Sequence, residues 1–173
     1  MEQLTRKGDG KFLWLVIDFA SKRAQKLANI LPFDLLLYDE VVEQQIRDLL
    51  GQLTSREIPK SFCIAEIVNE SYVLVALNPE RTMVTGIGIL TPCGPSFLGH
   101  KGIIEEIIVH RAHRRNGIGR RILTLLVGRA WNMHLTELQL TSNPKNPDRR
   151  EAILLYLSEG FSQPDTQFLT REF

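Results

Sequence analysis

The sequence predicts an α/β domain in which a mixed β-sheet is covered by helices on both faces. Two patterns indicate this class: short segments rich in β-branched and aromatic residues, and longer segments whose apolar residues recur at helical spacing. From residue 33 onward the predicted order is strand, two helices, a strand hairpin, strand, helix, strand, helix, strand. The 173 residues fit one domain, which can bury a core without disulfides or metals.

The N-terminal residues are predicted to form an extension of this domain. Residues 12–19 have the composition of a strand, and Ser21 is a suitable cap for a short basic helix that reaches about Ile30. We therefore divide the chain into an extension, residues 1–32, and a main domain, residues 33–173. Two roles stay open for the extension: it adds to the sheet, or it covers the contact of a homodimer.

The main domain divides into elements with recognisable starts and ends. Caps and first-turn prolines mark the helices, and Gly- or Pro-containing turns separate the strands. In chain order the predicted elements are a strand at 33–38, a helix capped by Asp39, a helix beginning at Pro59, strands at 72–77, 83–90 and 102–109, a helix at 117–133, a strand at 138–141, a helix opening at Asn146-Pro147, and a final strand or pair after Gly160. Residues 91–100 are predicted to form a loop beside a binding site.

Composition excludes several classes of partner. The formal net charge of +1 provides no global field that would attract nucleic acid or a membrane surface. The two cysteines, Cys63 and Cys93, suit a reducing compartment, and His110 and His113 have no further ligand at metal-site spacing. The apolar run at 12–17 is about a third of a membrane span and lacks a signal-peptide cleavage site. We expect a cytoplasmic protein without a metal.

The most informative stretch joins the predicted strand end at Val109 to the predicted helix start at Gly117. Gly117 and Gly119 allow a tight turn and a close approach of the backbone to a ligand. The first turn of a helix presents unpaired N–H groups and a partial positive charge, so it binds anions, and a pyrophosphate fits it. Three arginines surround the turn: Arg114, Arg115 and Arg120.

Two other phosphate-binding motifs do not match this turn. It lacks the Lys-Ser/Thr pair of a nucleotide-hydrolysing loop, and it lacks the GxGxxG spacing of a dinucleotide fold. One simpler interpretation stays open at this point, namely a helix that merely begins with glycines beside a solvated basic turn.

The residues Arg114-x-x-Gly117-x-Gly119, five positions after Val109, resemble the acetyl-CoA signature of the GNAT superfamily of N-acetyltransferases, Gln/Arg-x-x-Gly-x-Gly/Ala after a strand. A second block, from Ala152 to Phe161, resembles the A-x-x-x-Y-x-x-x-G-F stretch of the same family. The resemblance runs from about residue 33 to the C-terminus. It implies a GNAT-like acyl-CoA N-acyltransferase fold, whose mixed, mostly antiparallel sheet has about six or seven strands.

The resemblance also implies roles for individual residues. The amides of residues 115–120 would hold the pyrophosphate of acetyl-CoA, and the strand at 107–109 would pair with the pantetheine arm. That pairing requires the next strand, near Leu140, to splay away. Tyr156 would protonate the departing thiolate, although an aromatic at this helical position also suits a core. The implied coenzyme-binding residues are Ile107, Ile108, Val109, Arg114, Arg115, Asn116, Gly117, Ile118, Gly119, Arg120 and Arg149.

Arg149 departs from the family pattern. Many members carry Asn at this position, three residues before Ala152, where it contacts the coenzyme. Arg149 or the adjacent Arg150 would reach a coenzyme phosphate instead, or the charge is only a solvated helix residue. Both interpretations stay open.

Glu105 and Glu106 are the candidate bases. Only a neutral amine attacks a thioester, so a group must take its proton. Alternation along the strand puts the two carboxylates on opposite faces, so that one faces the cleft. We assign the role to Glu106, because residues 102–109 resemble the glucosamine-6-phosphate branch of the family, in which an acidic residue at the second position contacts the reacting amine. Glu105 as the base and two plain surface carboxylates remain the alternatives.

The expected activity is transfer of an acetyl group from acetyl-CoA to the primary amine of a small molecule in a ternary complex. A protein or peptide amine as acceptor and a coenzyme sensor without turnover are the alternatives. A nucleic-acid-binding module built on the arginines of residues 111–121 is disfavoured by the near-zero net charge and the lack of interleaved aromatics.

Overall fold

The computed structural model describes residues 29–36, 38–53, 57–97 and 99–165. These residues form one five-stranded sheet with the strand order β1-β2-β3-β4-β5. The first four strands pair antiparallel, and β4 and β5 pair parallel, so the predicted mixed, mostly antiparallel sheet is confirmed. The strands are β1 (Asn29–Pro32), β2 (Tyr72–Leu77), β3 (Val84–Ser96), β4 (Gly99–Val109) and β5 (Glu137–Leu140).

Helices cover both faces of the sheet, as the sequence predicts. The four α-helices are α1 (Glu40–Gly51), α2 (Ile64–Val68), α3 (Ile118–Asn132) and α4 (Arg150–Ser158). Side chains alternate along β2, so Val73 and Val75 pack with α1 and α2 on one face, while Leu74 and Ala76 pack with α3 on the other. None of the described helices is long and apolar enough to cross a membrane.

Asp39 caps α1 as predicted. Its backbone is extended, and its Oδ1 accepts a hydrogen bond from the Val42 amide at 2.9 Å. The acidic residues Glu40 and Glu43 in the first turn complement the positive end of the helix dipole. The helix therefore begins where its local sequence indicates.

The predictions around residue 30 are wrong in two places. Asn29–Pro32 is a strand that pairs with residues 74–77, where the sequence suggested the end of a helix, and Phe33–Leu35 is a 3-10 helix rather than a strand. Pro32 suits the last position of an edge strand because it lacks an N–H group. The predicted strand at 12–19 lies outside the described residues. Residues 161–165 form no strand, and residues 166–173 are not described, so the sheet has five described strands instead of six or seven.

The second predicted helix starts later than expected. It begins at Ile64 rather than at Pro59, and Arg47 on α1 binds three carbonyl groups of the segment between them. The Arg47 guanidinium donates to Pro59 O at 3.0 Å, to Lys60 O at 3.1 Å and to Phe62 O. Pro59 O also accepts from the Phe62 amide at 2.9 Å, so residues 59–62 form a turn before the helix begins.

The loop predicted at residues 91–100 is also wrong, because β3 continues to Ser96 and β4 begins at Gly99. Beyond Leu90, β3 has a described partner on the β4 side alone, and proline is tolerated at such an edge. The register shifts between Pro92 and Pro95, since proline cannot donate to the ladder. These prolines thus mark an irregular hairpin rather than a loop.

Candidate active site

A cleft of about 530 Å³ opens between the end of β4, the first turn of α3 and one face of α4. Its volume lies within the range of small-molecule sites. It brings together most of the residues proposed from the sequence to bind coenzyme, and Tyr156 as well. Its lining consists of Ile107, Ile108, Val109, His113, Arg114, Arg115, Gly117, Ile118, Gly119, Arg120, Arg149, Glu151, Ala152, Leu154, Leu155, Tyr156 and Ser158.

One edge of β4 is free beside this cleft. Pairing between β4 and β5 runs from Lys101 and Glu137 to Ile104 and Leu140, where β5 ends. Within the described ranges, residues 105–109 therefore have a strand partner only on the β3 side. The other edge of this stretch is open to a ligand, except that Val109 O already accepts from Arg114 Nε at 3.1 Å. The end of β5 at Leu140 agrees with the splaying that the GNAT resemblance requires.

The first turn of α3 has the geometry of an anion site. Gly117 is the N-cap residue, with φ of 76°, and no side chain caps the helix. The first backbone hydrogen bond of the helix runs from the Arg121 amide to Gly117 O at 3.0 Å. The amides of residues 118–120 consequently have no acceptor inside the helix and remain available for an anion.

The three arginines around this turn all contact other groups of the protein. Arg114 Nε donates to Val109 O at 3.1 Å, and Arg115 pairs with Glu151 at 2.8 Å. Arg120 pairs with Glu159 and donates to Ser158 Oγ at 3.1 Å. A coenzyme phosphate at the turn therefore competes with the carboxylates of Glu151 on α4 and of Glu159, the residue that follows it.

Asn116 is the one proposed coenzyme ligand that does not line the cleft. Its side-chain amide donates to His113 O at 3.3 Å, and the role predicted for Asn116 is that of its backbone N–H. Sequence reasoning missed the α4 face opposite this turn, which includes Glu151, Leu155 and Ser158. The helical spacing of these three residues was the available signal.

A β-bulge sets the positions of Glu105 and Glu106. Gly88 pairs with Ile107 and Leu90 with Ile104, so two residues of β4 oppose the single residue of β3 between them. The bulge leaves Glu106 half-buried and Glu105 exposed. Glu106 does not line the cleft itself, but its charge acts on Tyr156.

Burial raises the pKa of Glu106 from 4.5 to about 7, and the negative charge of Glu105 adds to the effect, while Arg149 opposes it. Such a carboxylate exchanges protons near neutral pH, as a general base must. Perturbed pKa values of this kind are common at functional sites. The electrostatics thus favour Glu106 over Glu105 as the base.

Tyr156 lies on α4 with its ring half-buried and edge-on to Phe161, at 6.2 Å between ring centroids. Burial raises the pKa of Tyr156 above 10.0, Arg149 lowers it, and Glu106 raises it further. The phenol is therefore protonated at neutral pH and able to act as an acid. The aromatic contact also gives Tyr156 the packing role that the sequence left open.

Arg149 is placed differently from the other arginines of the cleft. Its Nη2 donates to the Leu53 carbonyl oxygen at 2.6 Å, just beyond the end of α1.

In the described ranges, no group of three or more His, Cys, Asp or Glu side chains is positioned to hold a metal ion.

The split between β4 and β5, with a helix N-terminus beside it, is the arrangement that the GNAT resemblance implies. A comparison with protein-family models matches residues 69–163 to the acetyltransferase (GNAT) domain. This match covers more than half of the chain, and the protein belongs to the GNAT family of acetyltransferases.

Solved structures share this fold. An acetyltransferase from Trypanosoma brucei has a TM-score of 0.64 at 18% identity, over 83% of this chain and 98% of that chain. A glucosamine-6-phosphate N-acetyltransferase from Arabidopsis thaliana has a TM-score of 0.62 at 18% identity, over 82% and 96%. An aminoglycoside N-acetyltransferase in complex with CoA gives 0.61 at 15% identity, over 83% and 98%. A search of curated protein sequences found no match.

Proposed function

We propose that the protein transfers the acetyl group of acetyl-CoA to a primary amine by direct attack in a ternary complex. One observation carries the proposal: the free edge of β4 and the uncapped amides of α3 border the same cleft, which also contains Tyr156. A strand edge offers hydrogen bonds to the amide groups of a pantetheine arm, and a helix N-terminus offers them to a pyrophosphate. The residues present therefore fit acetyl-CoA as a co-substrate.

In the proposed reaction the amine nitrogen attacks the thioester carbonyl carbon, so that a C–N bond forms and the C–S bond breaks. Glu106 takes a proton from the nitrogen, directly or through water, and Tyr156 gives its proton to the departing thiolate. The carboxylate has a pKa of about 7, close to the pH at which it must work. An acceptor that arrives as an ammonium ion first releases one proton to solvent. The proton that Glu106 takes during the attack then returns to Tyr156, directly or through water, and this restores the site.

The acceptor that we propose is a small molecule with a cationic amine. Glu105 and Glu106 supply negative charge at the bulge, which suits an ammonium group before it loses its proton. By their names, two of the structural relatives act on a glucosamine phosphate and on aminoglycosides, which are small amines.

A panel of amines tests this proposal, with release of free thiol from acetyl-CoA as the readout. The panel contains amino sugars, aminoglycosides, polyamines, amino acids and lysine-containing peptides. We expect thiol release that depends on an amino sugar or another small amine and falls sharply in Tyr156→Phe. Turnover of the peptides alone would show that the acceptor is a protein or peptide amine.

Coenzyme binding, measured by calorimetry with CoA, distinguishes an enzyme from a coenzyme sensor and from a protein that does not bind CoA. A protein that binds CoA but turns over no amine is a sensor, and Glu106→Gln and Tyr156→Phe then leave its response to CoA unchanged. A protein that does not bind CoA contradicts the assignment of the cleft.

A further inference from the structure

Arg149 connects two segments that are distant in the sequence. It ends the 3-10 turn Pro147–Arg149 and immediately precedes α4. Its hydrogen bond to the Leu53 carbonyl at 2.6 Å spans 96 positions and is partly shielded from solvent. A charge-assisted bond of this length is stronger than a neutral one, so it can hold the start of α4 against the end of α1.

The guanidinium of Arg149 has a different environment from those around the pyrophosphate turn. Arg115 and Arg120 pair with carboxylates, and Arg114 binds the nearby carbonyl of Val109. Arg149 instead binds a carbonyl 96 positions away and acts electrostatically on Glu106 and Tyr156. Arg149 and Tyr156 are seven residues apart, about two helical turns, and both line the cleft. The side chain is thus associated with the reacting end of the cleft.

We propose that Arg149 is a positioning residue for acetyl transfer, which fastens α4 to the end of α1 and so fixes Tyr156 relative to β4 and its Glu106. The kinetic consequences of this role rest on the proposed function, while its structural consequences do not. The competing role is that of a coenzyme-phosphate ligand, which the sequence suggested.

The electrostatic effects of Arg149 agree with this placement. The guanidinium lowers the pKa of Glu106 and the pKa of Tyr156, in both cases against burial, which raises them. The charged or titratable groups that act on Glu106 are Glu105 on the same strand and Arg149 beside α4, and Glu106 in turn acts on Tyr156. A fixed cation therefore favours the ionised form of Glu106, which is the form that accepts a proton.

Hydrogen exchange tests the structural part of the proposal without any activity. Arg149→Met removes the bond to Leu53, so we expect faster amide exchange in peptides that cover the end of α1 and the start of α4. Arg81→Met is the matched control, because Arg81 is exposed in the turn between β2 and β3 and loses the same charge. Unchanged exchange in Arg149→Met would overturn the proposal. Arg149→Lys, which keeps the charge but not the planar fork, provides a milder variant should Arg149→Met fail to fold.

Steady-state kinetics with the best amine then test positioning against phosphate binding. In Arg149→Met we expect kcat to fall about tenfold or more, while KM for acetyl-CoA changes less than about twofold. The acid limb of the pH profile should move to higher pH in Arg149→Met, because the cation that lowers the pKa of Glu106 is lost. Arg149→Lys should return the limb to its original pH without restoring kcat. A raised KM for acetyl-CoA with unchanged kcat would assign Arg149 to a phosphate. Absence of turnover in the unmodified protein would contradict the proposed function, and hydrogen exchange would still decide the role of Arg149.

Discussion

Ile104 and Ile107 pack in the same hydrophobic core although they are three positions apart in one strand. Strict alternation would send their side chains to opposite faces of the sheet. The bulge at Glu105 and Glu106, which oppose Ile89 alone, supplies the extra residue that returns Ile107 to the α3 side. The same irregularity leaves Glu105 exposed and Glu106 half-buried, where its charge acts on Tyr156.

Glu106→Gln should remove the acid limb of the pH profile. With a pKa of about 7, Glu106 is ionised above neutral pH, so activity of the unmodified protein should rise with pH through about 7. We expect kcat/KM at pH 8 to fall about 100-fold in the variant, the usual contribution of a positioned base. The measurement is thiol release across pH 5–9, a range set by about two units on each side of that pKa.

Glu105→Gln is the matched comparison. It removes a like charge, so the acid limb should move to lower pH while turnover persists. Loss of the limb in Glu105→Gln, together with its persistence in Glu106→Gln, would assign the base to Glu105.

Glu106→Gln should also change the pH dependence of stability. Because the folded-state pKa lies above the ordinary 4.5, the stability contribution of Glu106 is complete below about 4.5 and is lost as pH rises through about 7. The free energy of unfolding of the neutral variant should equal that of the unmodified protein at low pH. At pH 8 it should be higher by about 1–2 kcal/mol. The full change in the pKa of Glu106 corresponds to about 3.4 kcal/mol. Because Glu106 is only half-buried, solvent screening reduces this value. Urea unfolding at the two pH values measures this difference, and equal stability at pH 8 would contradict it.

Tyr156→Phe should lower kcat and leave coenzyme binding intact. The variant keeps the edge-on contact with Phe161 and loses only the hydroxyl group, so stability should change little. We expect kcat to fall about 100-fold, because the thiolate then leaves without a proton donor. Rates with acetyl-CoA and the affinity for CoA give the two readouts. A variant with normal kcat would reduce Tyr156 to a packing residue.

Local signals explain the parts of the fold that the sequence predicted. The Asp39 cap and the bounds of β2 depend on neighbouring residues alone, and the structure confirms both. The turn at Gly117 is also local, since a left-handed residue before a helix favours glycine. The sequence therefore indicated the sheet and the glycine turn at which we propose that a ligand binds.

Features that the sequence could not supply depend on distant partners. The bulge at Glu105 exists only in relation to Ile89 on another strand. The hydrogen bond of Arg149 requires Leu53, which lies 96 positions earlier in the sequence. The prolines after Leu90 indicated a loop, but the absence of a β2 partner there makes an irregular hairpin possible. Periodicity within one segment carries no information about such pairings.

Glu151→Gln should strengthen coenzyme binding. Glu151 lines the cleft and pairs with Arg115 at 2.8 Å, so it both repels a phosphate and occupies a cation that could bind one. The two side chains are 63% and 76% exposed, so loss of the pair should cost less than about 1 kcal/mol of stability. We expect the Kd for CoA to fall about threefold to tenfold at low salt and less at high salt.

The control for Glu151→Gln is Glu137→Gln at the start of β5. Glu137 pairs with Lys101 at 3.1 Å and does not line the cleft, so its loss removes the same charge without altering the Kd for CoA. An equal change in both variants would attribute the effect to net charge rather than to Arg115.

Gly117→Ala and Gly117→Asn should separate backbone strain from steric crowding. A Cβ at Gly117 meets nothing within 4 Å, so the cost of a side chain there comes from φ of 76° alone. That conformation costs alanine about 1 kcal/mol or more and asparagine less. We expect Gly117→Ala to lower the free energy of unfolding by about that amount and to weaken CoA binding, because the amides of residues 118–120 follow this turn. Gly117→Asn should retain most of both properties, measured by urea unfolding and calorimetry. If asparagine were as disruptive as alanine, the turn would need open space for a ligand rather than a left-handed backbone.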